Sequence, residues 1–269
     1  MNIKKFTQIS TVIFVMVVIA IIAGIIIFRH IMSVPQGSNE MRTSTNATVS
    51  NNVPPVLLKS IGVNLDYYDA TTKRAGDFVF SKAYTGSAKG FDRPFMGFGF
   101  VIPAANSSTR EDKVNPQPTF ILPLGTKVHA IVDGIVAQEP VLYSGDYSIM
   151  VNADGNERGE WIYETEHVIH PLVKVGDHVT AGQVIAEVSN YDANLLPGYG
   201  IVEIGILHGG VTPEHLCPFA YLDPSIKRDT LAKIKALETS WEKYVEDSSL
   251  YNQSNETIPG CITLDKVQG

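Results

Sequence analysis

Apolar residues run almost unbroken from about Ile9 to Phe28, preceded by Lys4 and Lys5 and closed by Arg29. Roughly 20 apolar residues cross a hydrocarbon core as a helix. The apolar region of a secretory signal peptide is usually about 7–15 residues and precedes a small-x-small cleavage site. Here "IMSVPQGS" follows instead. The pattern therefore predicts an uncleaved transmembrane anchor within residues 1–30. The two lysines and the α-amino group outweigh Arg29, which predicts a cytoplasmic N-terminus with everything after the anchor outside. Residues 31–56 then turn to Ser, Thr, Asn and Pro, the composition of a flexible linker.

Beyond the linker, roughly 210 residues remain, enough for a domain with a real core. Most of it reads as short strands. "GDFVFSKAY" and "FMGFGFVIP", in the leading segment 57–114, are aromatic and β-branched runs bounded by Gly, Asp and Pro. In "TKVHAIVDGIVAQEPV" the apolar positions Val128, Ala130 and Val132 alternate, and Asp133-Gly134 predicts a hairpin turn before Ile135 and Val136. "YSIMVNADGNERGEWIYETEHV" predicts a second hairpin with a longer polar loop. In its second arm the two-residue period places Trp161, Tyr163, Thr165 and His167 on one face. Only the end reads as helix: Leu231, Ile234, Leu237, Trp241, Tyr244 and Val245 recur at helical steps, with Asp229 or Asp223 as the cap.

Charge changes the picture by exclusion. The net charge of -7, with 18% charged residues, argues against nucleic acid and against docking on anionic lipid. Cysteine usage and glycosylation acceptors agree with an outside location. The only two cysteines, Cys217 and Cys261, predict one disulfide in an oxidising compartment. The acceptor pattern N-x-S/T falls at Asn46, Asn106, Asn252 and Asn255.

Candidate chemistry gathers at "EHVIHPLVKVGDHVTAGQVIAEV", which opens with Glu166, His167 and His170 and continues as a packing-and-turn frame. Four segments come in a telling order: "PLGTKVHAIVDGIV", "YETEHV", "VKVGDHVTAGQVIAEV" and "YGIVEIGI". Over about 90 residues, Asn115 to Ile206, this resembles the lysostaphin-type zinc metallopeptidase domain, a duplicated hybrid motif that cuts peptidoglycan cross-bridges. Its usual wording is roughly HxGxDxxxPxGTPVxAxxDGxV, YxHL, VKVGQxVxAGQxIG and HxHFE. The resemblance implies a mainly β fold, a barrel or sandwich, over residues 115–222, and the apolar period and the cysteine pair add a helix and disulfide-linked tail over 223–269. Gly125, Gly134, Gly176 and Gly182 serve its turns, and Val128, Val132, Val136, Val175, Val179, Val184 and Ile185 its core.

The same resemblance assigns zinc to the His and Asp of HxGxD and to the last His of HxH. Counting from Pro123 and Glu203, those positions hold Asn115, Thr119 and Ile201, with Tyr199 at the first position of HxH. Asn, Thr and Ile supply no competent ligand set. His167 stands where the family has the YxH histidine that stabilises developing charge, a helper without its metal. The sequence thus points to a non-catalytic module with no cofactor, held to the membrane by its anchor and gripping another envelope protein or a wall or surface polymer. A zinc hydrolase with a rearranged site is the alternative, drawing ligands from His167, His170, His208, His215 and Glu203. Biotinyl and lipoyl carriers share the GDxVxxGQxIAxV frame but need an exposed hairpin lysine, and Ala137 to Leu172 contains none. An adaptor-type barrel of a membrane assembly shares the frame too, but no long coiled-coil hairpin accompanies it.

Overall fold

The computed structural model describes residues 53–84, 90–104, 110–190 and 197–269. The expected anchor, most of the linker, and Asn46 and Asn106 lie outside the described residues. Among the described residues no helix is long and apolar enough to cross a membrane.

Among the described residues an eleven-stranded antiparallel sheet carries the fold. Its strands are β1 (Phe95–Met96), β2 (Thr119–Pro123), β3 (Lys127–His129), β4 (Gly134–Gln138), β5 (Tyr147–Asn152) and β6 (Trp161–Ile169). They continue as β7 (His178–Val179), β8 (Val184–Val188), β9 (Tyr199–His208), β10 (Glu214–Leu216) and, after helix α1 (Pro224–Val245), β11 (Val267–Gln268). Of the leading runs, Phe95–Met96 joins the main sheet against β2, and the rest form separate two-residue pairs: Arg74–Ala75 with Phe78–Val79, and Val101–Ile102 with Lys113–Val114.

The expectation of a barrel is corrected, because the sheet branches instead of closing. β9 lies along β6 on one edge, and its other edge is shared, with β2 taking Tyr199 to Glu203 and β10 taking Ile206 to His208. β6 likewise pairs with β5 and β9, then turns its end, Val168 and Ile169, to β8. Strands that divide an edge between two partners leave no continuous rim to join.

The Asp133-Gly134 hairpin is also corrected. β3 pairs with β8, whereas β4 pairs with β5 and β7. The Asp133 carboxylate accepts from Lys59 Nζ at 2.6 Å and from the Ala181 amide at 2.8 Å. It ties the turn to neighbouring segments while the chain passes between parts of the sheet. Gly134 is needed for space: a Cβ there would meet the Asn152 carbonyl oxygen at 2.5 Å. The second expected hairpin is present as β5–β6.

The core is rich in aromatics. Phe78, Phe80, Tyr84, Phe95, Phe98, Phe120 and Phe219 are buried, and Trp241 from α1 lies against Tyr84 and Phe80 at 5.1 and 5.4 Å. Helix α1 starts about two turns before Leu231, the first residue of the apolar period. Asp223 caps it by accepting from the Ser225 amide at 2.9 Å, with Pro224 in the first turn. Its buried face, Ile234, Leu237, Glu238 and Trp241, keeps the helical spacing. Cys217 and Cys261 form the expected disulfide, their Cα atoms 6.1 Å apart, and tether the tail beyond α1.

Candidate functional site

The site is built where β2, β9 and β6 run side by side. Glu203 on β9 faces Thr119 on β2 across one edge and Glu166 on β6 across the other. A bulge interrupts the β5–β6 register between Thr165 and Val168, and His167 adopts a left-handed φ of 59°. One extra residue reverses which side chains face the core. Tyr163 and Thr165 are buried before the bulge and Val168 after it. His167 therefore leaves the face that the strand period assigns to it and joins Glu166 and Glu203. Each of these three offers a ligand atom within 4.8 Å of the others.

Hydrogen bonds fix the surroundings. The His167 ring is buried, and its Nδ1 lies 2.9 Å from Asp146 Oδ2. Asp146 also accepts from the Ser144 hydroxyl. Asn115 Nδ2 donates to Thr119 Oγ1 at 3.2 Å, and the Thr119 hydroxyl donates to Glu203 Oε1 at 2.6 Å. Deeper in the cleft, Glu164 accepts from Ser148 Oγ at 2.5 Å and from Gln117 Nε2 at 2.7 Å.

The electrostatics follow from several acids sharing a buried cleft. Burial, then the charges of Glu164 and Glu203, pushes Glu166 up to about 8. Burial also raises Glu164, outweighing its hydrogen bonds from Ser148 and Gln117. For His167 burial alone favours the neutral ring, but the Asp146 hydrogen bond and the Glu203 and Glu166 charges win, and its pKa rises. Burial opposes ionisation of Asp146 too, yet its bonds from His167 and Ser144 hold it below the usual range.

The structure brings together only some of the residues read from the sequence. Asn115, Thr119 and Glu203 form one hydrogen-bonded chain, whereas Ile201 pairs with Ile121 and packs into the core. Of the five residues named for a rearranged site, His167 and Glu203 meet and the other three lie elsewhere. His170 is exposed with its Nδ1 on Glu187 at 3.0 Å. His208 stacks on Trp161 at 4.1 Å and contacts Glu160. His215 is buried on β10, where burial pulls it down to about 4 and keeps the ring neutral. Glu166 and Gln117 are the members that strand periodicity misses. Asn252 and Asn255 are exposed.

A zinc ion at the positions that the resemblance assigns finds an amide, a hydroxyl and an apolar side chain, and the first two already satisfy each other. That set does not fit the metal.

No family model matches the sequence. No curated protein matches it either. Solved structures do. The solved structures include lysostaphin-type peptidase domains. The catalytic domain of the prophage-encoded protein EnpA from Enterococcus faecalis is 21% identical, with 39% of this chain and 77% of that one aligned at a TM-score of 0.32. The catalytic domain of lysostaphin from Staphylococcus simulans is 19% identical over 46% of this chain and 89% of that one, TM-score 0.35. The SpoIIQ–SpoIIIAH pore-forming complex is 14% identical over 62% and 92%, TM-score 0.36.

Proposed function

We propose that this chain is a membrane-anchored, extracytoplasmic binding module of the cell envelope whose peptidase-like cleft does not hydrolyse. One observation carries the reading: Asn115 and Thr119, at two of the positions where a hydrolase of this pattern needs metal ligands, are locked in a hydrogen-bonded chain that ends on Glu203, and the third position, Ile201, packs into the core. A hydroxyl already donating to a carboxylate has no role left in generating a nucleophile. The anchor reading rests on the apolar run at Ile9 to Phe28 and the lysines before it.

The partner is an envelope protein or a wall or surface polymer that uses the cleft mouth. Tyr143 and Leu172 are well exposed, in the loops that precede Asp146 and follow His170, and are the candidates for contact. Photo-crosslinkers at Tyr143 and Leu172, in intact cells, are expected to give discrete adducts, and one at Asn252 none. Adducts at Asn252 alone, or none at any position, would overturn the cleft as the binding face.

A further inference from the structure

The cleft floor gathers acidic groups. Glu164, Glu166, Glu203 and Asp146 bring carboxyl groups, and the donors facing them include the hydroxyls of Thr119, Ser148, Ser144 and Ser189, the Gln117 amide and the His167 ring. A second acceptor points the same way independently. Gln117 is 2% exposed, and while its Nε2 serves Glu164, its Oε1 has no donor among the described residues. A buried carbonyl oxygen beside the Glu164 carboxyl group, with no donor supplied, is an environment that a cation completes.

We propose that Glu166, His167 and Glu203 bind one divalent transition-metal ion, a site distinct from the positions that the peptidase pattern assigns. Their ligand atoms lie within 4.8 Å of one another, so small side-chain adjustments bring them to coordination distance. One imidazole with two carboxylates suits the nitrogen- and oxygen-preferring ions of the zinc class. Asp146 supports the assignment: its carboxylate holds His167 Nδ1, the outer-sphere arrangement of metal-bound histidines, and binding an ion at the other ring nitrogen would release that nitrogen's proton. Thr119 occupies one oxygen of Glu203 and so orients the carboxylate. The ion would clamp β6 to β9 across the cleft floor, and its remaining coordination positions would take water or an oxygen of the partner.

The inference extends the binding-module reading without requiring hydrolysis. The test uses full-length protein in detergent, stripped with chelator, dialysed against Zn2+ and desalted before elemental analysis. One equivalent of zinc per chain is expected. His167→Ala and Glu203→Gln should each lower affinity at least tenfold, and Asp146→Asn by roughly 10- to 100-fold, while His170→Ala and His215→Ala retain the metal. If a cleft variant fails to fold, the parent decides. Co2+ should give visible absorption that saturates at one equivalent and is displaced by Zn2+. No metal retained by the parent, metal retained equally by His167→Ala and Glu203→Gln, or a Co2+ spectrum identical to that of the free ion would each overturn the site. Metal uptake accompanied by peptide hydrolysis would leave the site standing and overturn the non-catalytic reading instead.

Discussion

Glu238 shows how far one side chain departs from its type. It sits on the buried face of α1, fully enclosed, where burial, then the neighbouring Glu256 and Glu242 carboxylates, push its carboxyl up to about 10 from 4.5, with Arg93 opposing. Between those values the folded protein holds a proton that the unfolded chain has lost, so stability falls as pH rises through that window. At pH 7 the accumulated penalty is of order 3 kcal/mol. Glu238→Gln is expected to raise Tm by several degrees at pH 8 and to change it little near pH 4. Parallel Tm–pH curves for the two proteins would contradict this. The helical period puts this glutamate on the face of Ile234, Leu237 and Trp241, but it does not report that the Glu256 carboxyl group from the tail meets it there. His167 is the converse case: its identity was legible, but its direction was not, since a bulge leaves no trace in a two-residue alternation.

Elements were legible where one local signal decides them. The β5–β6 hairpin follows from a polar loop between alternating arms, and α1 from its apolar stripe and Asp223 cap. Asp223→Ala is expected to destabilise by about 1 kcal/mol, measured by urea denaturation, through the lost cap; an unchanged midpoint would argue that Pro224 alone sets the helix start. Asp133-Gly134 misled because the same dipeptide that closes a hairpin also serves a crossing whose partners, Lys59 and Ala181, are remote in sequence. The Cys217–Cys261 bridge closes a separation of 44 residues, for which chain-entropy reasoning gives roughly 4 kcal/mol. Reduction should lower Tm by about 8–16 °C for a domain of this size. A Tm insensitive to reductant would show that the tail is held by its other contacts, Arg93 to Leu250 and Tyr251 to Phe95 among them.

At the scale of the whole molecule, the frame was readable and its closure was not. Glycine turns and valine positions are local, whereas whether a sheet closes depends on how β6 and β9 divide their edges between partners far along the chain. The proposed placement of the domain outside the membrane carries its own test: protease added to intact cells should remove everything after about Arg29, and a protected C-terminus would contradict the orientation. The central claim is that the cleft binds without cutting. Incubating the full-length protein, with Zn2+ supplied, with a peptidoglycan cross-bridge peptide and following cleavage by mass spectrometry tests it most directly. The account predicts no product above a protein-free control. Cleavage that disappears with chelator and with His167→Ala would contradict it.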